Sequence, residues 1–236
     1  MAEQELEAPG SPSDLYRSLG ADVEPCRPYL TGDVFSGVET VGPDGVGKKR
    51  DVAIIQHPCA LRTNGVDLAP QLLVVKVQQH PPVDDWTKYT KLMPLPDLHP
   101  EATSPRKRHW AAMFDSLYLV TPHQLGDNRI ACLSEAGINL LLQRWVHHSS
   151  RATVATHTFE GANSHVFEEA DLIEDWSVER VGHGLKREDA AAECVAWLRE
   201  DQGEGETRQR QLRVRQQRSA IRSAMRKRLR SLIPSD

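Results

Sequence analysis

Cysteine is scarce in this chain of 236 residues: Cys26, Cys59, Cys132 and Cys194 stand far apart, and none forms a C-x-x-C pair. That spacing gives no disulfide framework and no zinc ribbon, and reads as reduced thiols at half-buried positions. Histidine is commoner, at ten, yet His147 and His148 are neighbours, and neighbours on a helix do not face one ligand together. His57 and Cys59 make only two ligands. No metal and no cofactor is expected. Hydrophobic residues are 39% of the chain and aromatics 6%, thin for one large core. A core in the middle with apolar-poor ends is expected. No apolar run approaches the roughly 20 residues of a membrane helix. Met1-Ala2-Glu3-Gln4-Glu5 lacks the basic and apolar regions of a signal peptide. The expectation is a cytoplasmic protein that meets no membrane.

The most telling scarcity is of acid near the C-terminus. From Thr207 to Ser235 there is none, against ten basic residues: Arg208, Arg210, Arg213, Arg215, Arg218, Arg222, Arg226, Lys227, Arg228 and Arg230. Glu160 to Glu206 is the reverse, with fourteen carboxylates and four basic residues, although the whole chain carries only −4. Arginine presents a planar donor fork that fits phosphate or carboxylate. A nucleic-acid backbone and an acidic protein surface are the two natural partners of such a run.

Along the chain, residues 1–28 form an acidic, proline-containing leader with one short helix expected over Asp14–Leu19 behind Ser13. Val34, Phe35 and Val38 fit a strand ending in the turn Gly42-Pro43-Asp44-Gly45. Strands follow at Val52–Ile55, Gln71–Val77, Leu117–Thr121 and Arg129–Leu133. Between Gln78 and His109 lie six of the fifteen prolines, which rule out one helix or a central strand. That excursion ends in Arg106-Lys107-Arg108-His109-Trp110, a basic cluster beside a ring that could stack on a base. Ser134 stands where a helix cap belongs, ahead of Ile138, Leu141, Leu142, Trp145 and Val146 at helical spacing. Two acidic helices are expected in 152–206, broken at Gly182-His183-Gly184 and Gly203-Glu204-Gly205. In the tail, Ile221, Met225, Leu229 and Leu232 share one helical side. A solvated charge run has no reason to carry such a stripe.

Gly32-Asp33-Val34, the glycine-rich loop ending in Arg50, the strand Val52-Ala53-Ile54-Ile55 with Gln56, and the pattern Asp115…Val120…Leu125…Arg129-Ile130…Leu133-Ser134 resemble the PemK/MazF-like family of small β-barrels. The resemblance covers about half the chain and implies a PemK/MazF-like barrel with its terminal helix over 29–151; with the acidic helical extension over 152–206 and the Arg-rich helical tail over 207–236 read from charge and spacing, the expected fold is α+β. His57-Pro58-Cys59-Ala60 also looks like a divergent branch whose second strand ends in Cys-Asp, with Ala60 in place of the acid. Toxins of this family, partners in prokaryotic defence and stress systems, resemble small ribonucleases that pair an Arg with a Ser or Thr after the next strand. Arg50 falls at the Arg position. Gln78, Gln79 and His80 supply no hydroxyl, which leaves His80 as a general base.

The expected function is therefore a nucleic-acid-binding or assembly subunit without catalysis. RNA or DNA would meet Arg106, Lys107 and Arg108, and Arg213, Arg215, Arg218, Arg222, Arg226, Lys227, Arg228 and Arg230 of the tail. One alternative is an endoribonuclease using Arg50 and His80. Another is an adaptor that docks Ile221, Met225 and Leu229 in the groove of an acidic partner protein. A homo-oligomer is open on all three readings. The opposed charges leave two arrangements open: the tail folds back on residues 160–206, or the two halves point in different directions and contact different molecules.

Overall fold

β-Branched and aliphatic residues alternating with polar ones over 34–41 and 72–79 dictate strands half-exposed to solvent. In the computed structural model, which describes residues 5–42 and 45–232, these become members of one seven-stranded antiparallel sheet. The strands are β1 (Tyr16–Leu19), β2 (Val34–Val41), β3 (Gly47–Ile54), β4 (Leu72–Gln79), β5 (Leu92–Leu95), β6 (Trp110–Val120) and β7 (Arg129–Leu133). Their order is β1-β7-β2-β3-β4-β6-β5. The expected turn at Pro43-Asp44 lies outside the described residues. Helices follow: α1 (Pro122–Leu125), α2 (Glu135–Ser150), α3 (Thr156–Gly182), α4 (Arg187–Arg199), α5 (Arg208–Gln211) and α6 (Arg215–Leu232). The fold is α+β, and no helix among the described residues is long and apolar enough to cross a membrane.

The chain divides into two units. Unit one is Met1–Val23 with Tyr29–Ala162, and unit two is Glu24–Pro28 with Asn163–Asp236. The leader is thus shared between them, as is the acidic extension, whose part from Asn163 onward belongs with the basic tail to unit two.

In unit one, Phe35 and Val38 of β2, Val52 and Ile54 of β3, Leu72 and Val74 of β4 and Val120 of β6 form one buried cluster. β2 and β6 are separated by two strands in the order, so the sheet curls to bring them to one core. Two glycines fix the approach of α2. A Cβ on Gly137 would lie 2.3 Å from the Leu15 carbonyl oxygen. Gly32 has φ +85°, and a Cβ there would meet Leu133 Cβ at 2.9 Å. Ser134 caps α2 by accepting from Gly137 N at 3.0 Å, as its position in the sequence predicts.

The leader differs from expectation. Pro12–Leu15 is a single 3₁₀ turn, and Tyr16–Leu19 is a strand paired with β7, where a helix over Asp14–Leu19 was expected. The cause is tertiary: Leu15 is fully buried, and its carbonyl accepts from Ser134 N at 2.8 Å. Leu6 is buried too. Glu7 accepts from Thr156 N at 2.9 Å and Thr156 Oγ1 at 2.6 Å, at the start of α3. The proline-rich excursion contributes β5, which carries Pro94 at the margin of the sheet, where a missing N–H costs no ladder bond. Arg144 of α2 pins that excursion. It is fully buried and donates to the carbonyls of Trp86 (3.0 Å), Tyr89 (3.1 Å) and Glu7 (2.8 Å), with its guanidinium over the Trp86 ring.

Unit two is a helical bundle. α4 returns along α3, with Trp176 against Trp197 at 5.4 Å between ring centroids and Trp176 Nε1 donating to Glu193 at 2.9 Å. α6 runs parallel to α3, since Arg218 reaches Ser164 at one end and Arg180 reaches the Leu232 carbonyl at the other. Burial pushes the Cys194 thiol well up from its ordinary range, as befits a core filler.

Candidate nucleic-acid interface

Arg, Gln, Ala, Met and Leu dominate Arg215–Leu232, and all are good helix formers. Spacing by four places Ile221, Met225 and Leu229 on one side. They are 4%, 3% and 7% exposed and pack with Leu172, Ile173 and Trp176 of α3, with Cys194, Trp197 and Leu198 of α4, and with Leu212. The three residues expected to anchor a partner therefore lie in the chain's own core. Each contributes about 2 kcal/mol of burial there, which explains the stripe without a second protein.

The same packing sorts the basic residues by direction. Arg222 turns inward and donates from Nε to Glu168 at 2.5 Å, with Asp175 at 3.3 Å and Asp171 at 3.7 Å from its Nη atoms. The Glu168 hydrogen bond outweighs partial burial and, with the charges of Asp171 and Asp175, raises the Arg222 pKa above its ordinary value. Arg218 donates to the Leu212 carbonyl and to Ser164 Oγ. Arg208 lies over the Trp197 ring and pairs with Glu200 at 2.8 Å. From the leader, Arg27 enters the same network, at 2.8 Å from Asp171 and 2.5 Å from Glu174, with 5% of its side chain exposed. Nothing in the sequence marks Arg27, because its partners lie more than 140 residues away.

Arg213, Arg215, Arg226, Lys227, Arg228 and Arg230 are exposed. The last four fall within five residues at the end of α6, a helix that contains no acid. A helix C-terminus itself favours cations, so part of this clustering is local. The Arg106–Arg108 cluster belongs to unit one and closes a 3₁₀ turn over Pro105–Arg108. Lys107 is exposed and Arg108 donates to the Ala102 carbonyl at 2.9 Å, while the side chain of Arg106 lies outside the described residues. The expected stacking ring, Trp110, is only half-exposed. It leans on His99 at 4.9 Å and donates to the Lys107 carbonyl.

Arg50 and His80 have different surroundings. Arg50 lies on β3 and donates to Thr40 Oγ1 at 2.5 Å and to the carbonyls of Thr40 and Lys48, with its guanidinium 4.9 Å from the Tyr118 ring centre. Tyr118 packs against the sheet's buried cluster. Alternation places Lys48 and Lys76 on the same sheet face, beyond Val52 and Val74. The sequence signal for this group was alternation within four strands, which points to a face but not to which residues meet. His80 follows β4 and makes a 2.7 Å bond from Nδ1 to the Pro81 carbonyl, with its ring edge-on to Tyr89 at 6.0 Å. The motif residues Asp33 and Arg129 are paired at 2.8 Å and nearly sealed from solvent, with 2% and 5% of their side chains exposed. Their role is to fasten β7 to the turn before β2.

No family model matches the chain, and no curated protein is similar to it.

Proposed function

We propose that this chain binds nucleic-acid phosphates without catalysis, through the outward side of the tail helix. The observation that carries the reading is the division of the tail. Arg208 and Arg222 are matched with acids of the same unit, while Arg226, Lys227, Arg228 and Arg230 stand exposed together on a helix without an acid. Four phosphates neutralised on a duplex cost about a hundredfold in affinity between about 50 and 200 mM salt. Anisotropy titrations with a labelled duplex and a labelled single-stranded RNA measure this slope. Replacing Arg226, Lys227, Arg228 and Arg230 together by Gln is expected to flatten it and leave the melting temperature within a few degrees. Unchanged affinity in that variant removes the tail as the binding element.

The curled sheet, its terminal helix and the buried Asp33–Arg129 pair support the finer reading of unit one as a PemK/MazF-like barrel. The endoribonuclease reading rests on a specific feature, Arg50 beside the Thr40 hydroxyl on a sheet face that also carries Lys48 and Lys76. A guanidinium there would stabilise charge developing on a transferring phosphate. Arg50→Ala then lowers RNA cleavage about a hundredfold or more with the fold intact. An unmutated protein that cuts no RNA ends this reading and leaves the tail-binding one standing.

A further inference from the structure

A cavity of about 360 Å³ in unit one is lined by Glu7, Asp14, Asn139, Leu140, His157 and Glu160, among others. Asn139 sits on α2, is 4% exposed, and its Oδ1 makes no hydrogen bond. Leaving a buried amide oxygen unmatched is costly, and such a group calls for a partner that completes it. Its surroundings say what kind. Glu7, Asp14 and Glu160 add three carboxylates to the wall, all acceptors when ionised. Leu140 and the neighbouring Ala136 supply an apolar side. Glu7 and Asp14 already accept from Thr156, Gln143 and Ser11, and His157 is the one basic side chain of the lining, so three carboxylates and the unmatched Asn139 oxygen leave a surplus of acceptors that disfavours anions and rewards a ligand rich in donors. The described residues include no cluster of three His, Cys, Asp or Glu side chains placed to hold a metal ion, which turns the argument from a bare cation to an organic one.

We infer that this cavity binds an alkylammonium group, its N–H donors directed to Asn139 Oδ1 and the carboxylates and its methylene stem lying on Leu140 and Ala136. The volume suits a short diamine or the side chain of one lysine from a peptide.

Calorimetric titration of the full chain tests this with three probes: diaminopentane, the uncharged pentanediol, and acetyl-lysine methylamide. Saturable binding of the diamine with Kd of about 1 mM and none of the diol is expected. Whichever amine binds more tightly identifies the source as free diamine or lysine side chain. Asn139→Leu replaces the unmatched amide by an apolar group of similar size, so it is expected to keep the melting temperature while weakening the amine about tenfold. Glu160→Gln, at an exposed position in the second turn of α3, provides a second variant and is expected to weaken the amine several-fold. Equal binding of diamine and diol overturns the inference. So does diamine affinity unchanged in both variants, which would place any bound amine on other acidic surfaces and leave Asn139 to an ordered water.

Discussion

Glu7 shows how one side chain joins distant parts of unit one. Burial pushes its carboxyl up, but hydrogen bonds from Thr156 and Gln143 and the nearby His157 outweigh this and hold it below the usual carboxylate range. A carboxyl lowered in the folded state stabilises above its unfolded pKa, and that contribution fades as pH falls through the folded value. Glu7→Gln is therefore expected to cost about 1 kcal/mol at neutral pH, the worth of a helix cap, and almost nothing in strong acid. Urea midpoints measured across pH 3 to 7, roughly the span of carboxyl titration, check this. Gly137→Ala places a methyl against the Leu15 carbonyl and is expected to cost about 2 kcal/mol of overpacking, read from the same urea curves. Neither role was legible in the sequence. Gly137 looked like an ordinary helix residue, and Glu7 like one acid of a loose leader. Ser134 was legible because a helix cap is local: its oxygen serves an N–H three residues on.

At the scale of elements, length alone did not decide what could be read: the five residues of β7 were expected to their bounds, while only Leu117–Val120 of the eleven-residue β6 was. α2 and β4 lie where their patterns put them, since sixteen and eight residues carry a period strongly. β1 is four residues long and exists because β7 offers it a ladder more than a hundred residues away. The stripe on α6 was equally readable, but its destination was not, because that depends on Leu172, Trp176 and Trp197. The same gap hid which arginines turn inward, since helical spacing gives a face and not its neighbour. Met225→Ala separates a core role from a docking role. As core it is expected to lower the stability of unit two by about 2–3 kcal/mol, seen as an earlier thermal transition. A residue awaiting a partner would leave that transition in place.

For the whole molecule, the net charge of −4 conceals a strong internal contrast that unit two satisfies partly within itself. The pairing of Arg222 with Glu168, Asp171 and Asp175 is the fold-back, one of the two arrangements that opposed charges left open, and the apolar stripe seats it. Exposed ion pairs alone contribute about 0–1 kcal/mol each and weaken with salt. The Ile221, Met225 and Leu229 contacts therefore hold α6 when salt rises, while on the proposed function the outward residues of its last turns lose phosphate affinity. High salt is accordingly expected to release nucleic acid without unfolding the protein. Deleting residues 207–236 would not test binding cleanly, since it also removes one wall of the bundle core.

The make-up of unit two also sets an order of events in time. Its first piece, Glu24–Pro28, is synthesised long before Asp171 and Glu174 exist to receive Arg27. Its last helix, α6, is synthesised after every other helix of the unit. The larger part of unit one, Tyr29–Ala162, lies between them and can fold with Met1–Val23 while synthesis continues, as units generally do from the N-terminal side. Until α6 arrives, Leu172, Trp176 and Trp197 lack part of their cover, so a chain that stops short displays an aromatic patch to chaperones and proteases. The core of this bundle is thus closed only once α6 has been made and has packed onto α3 and α4.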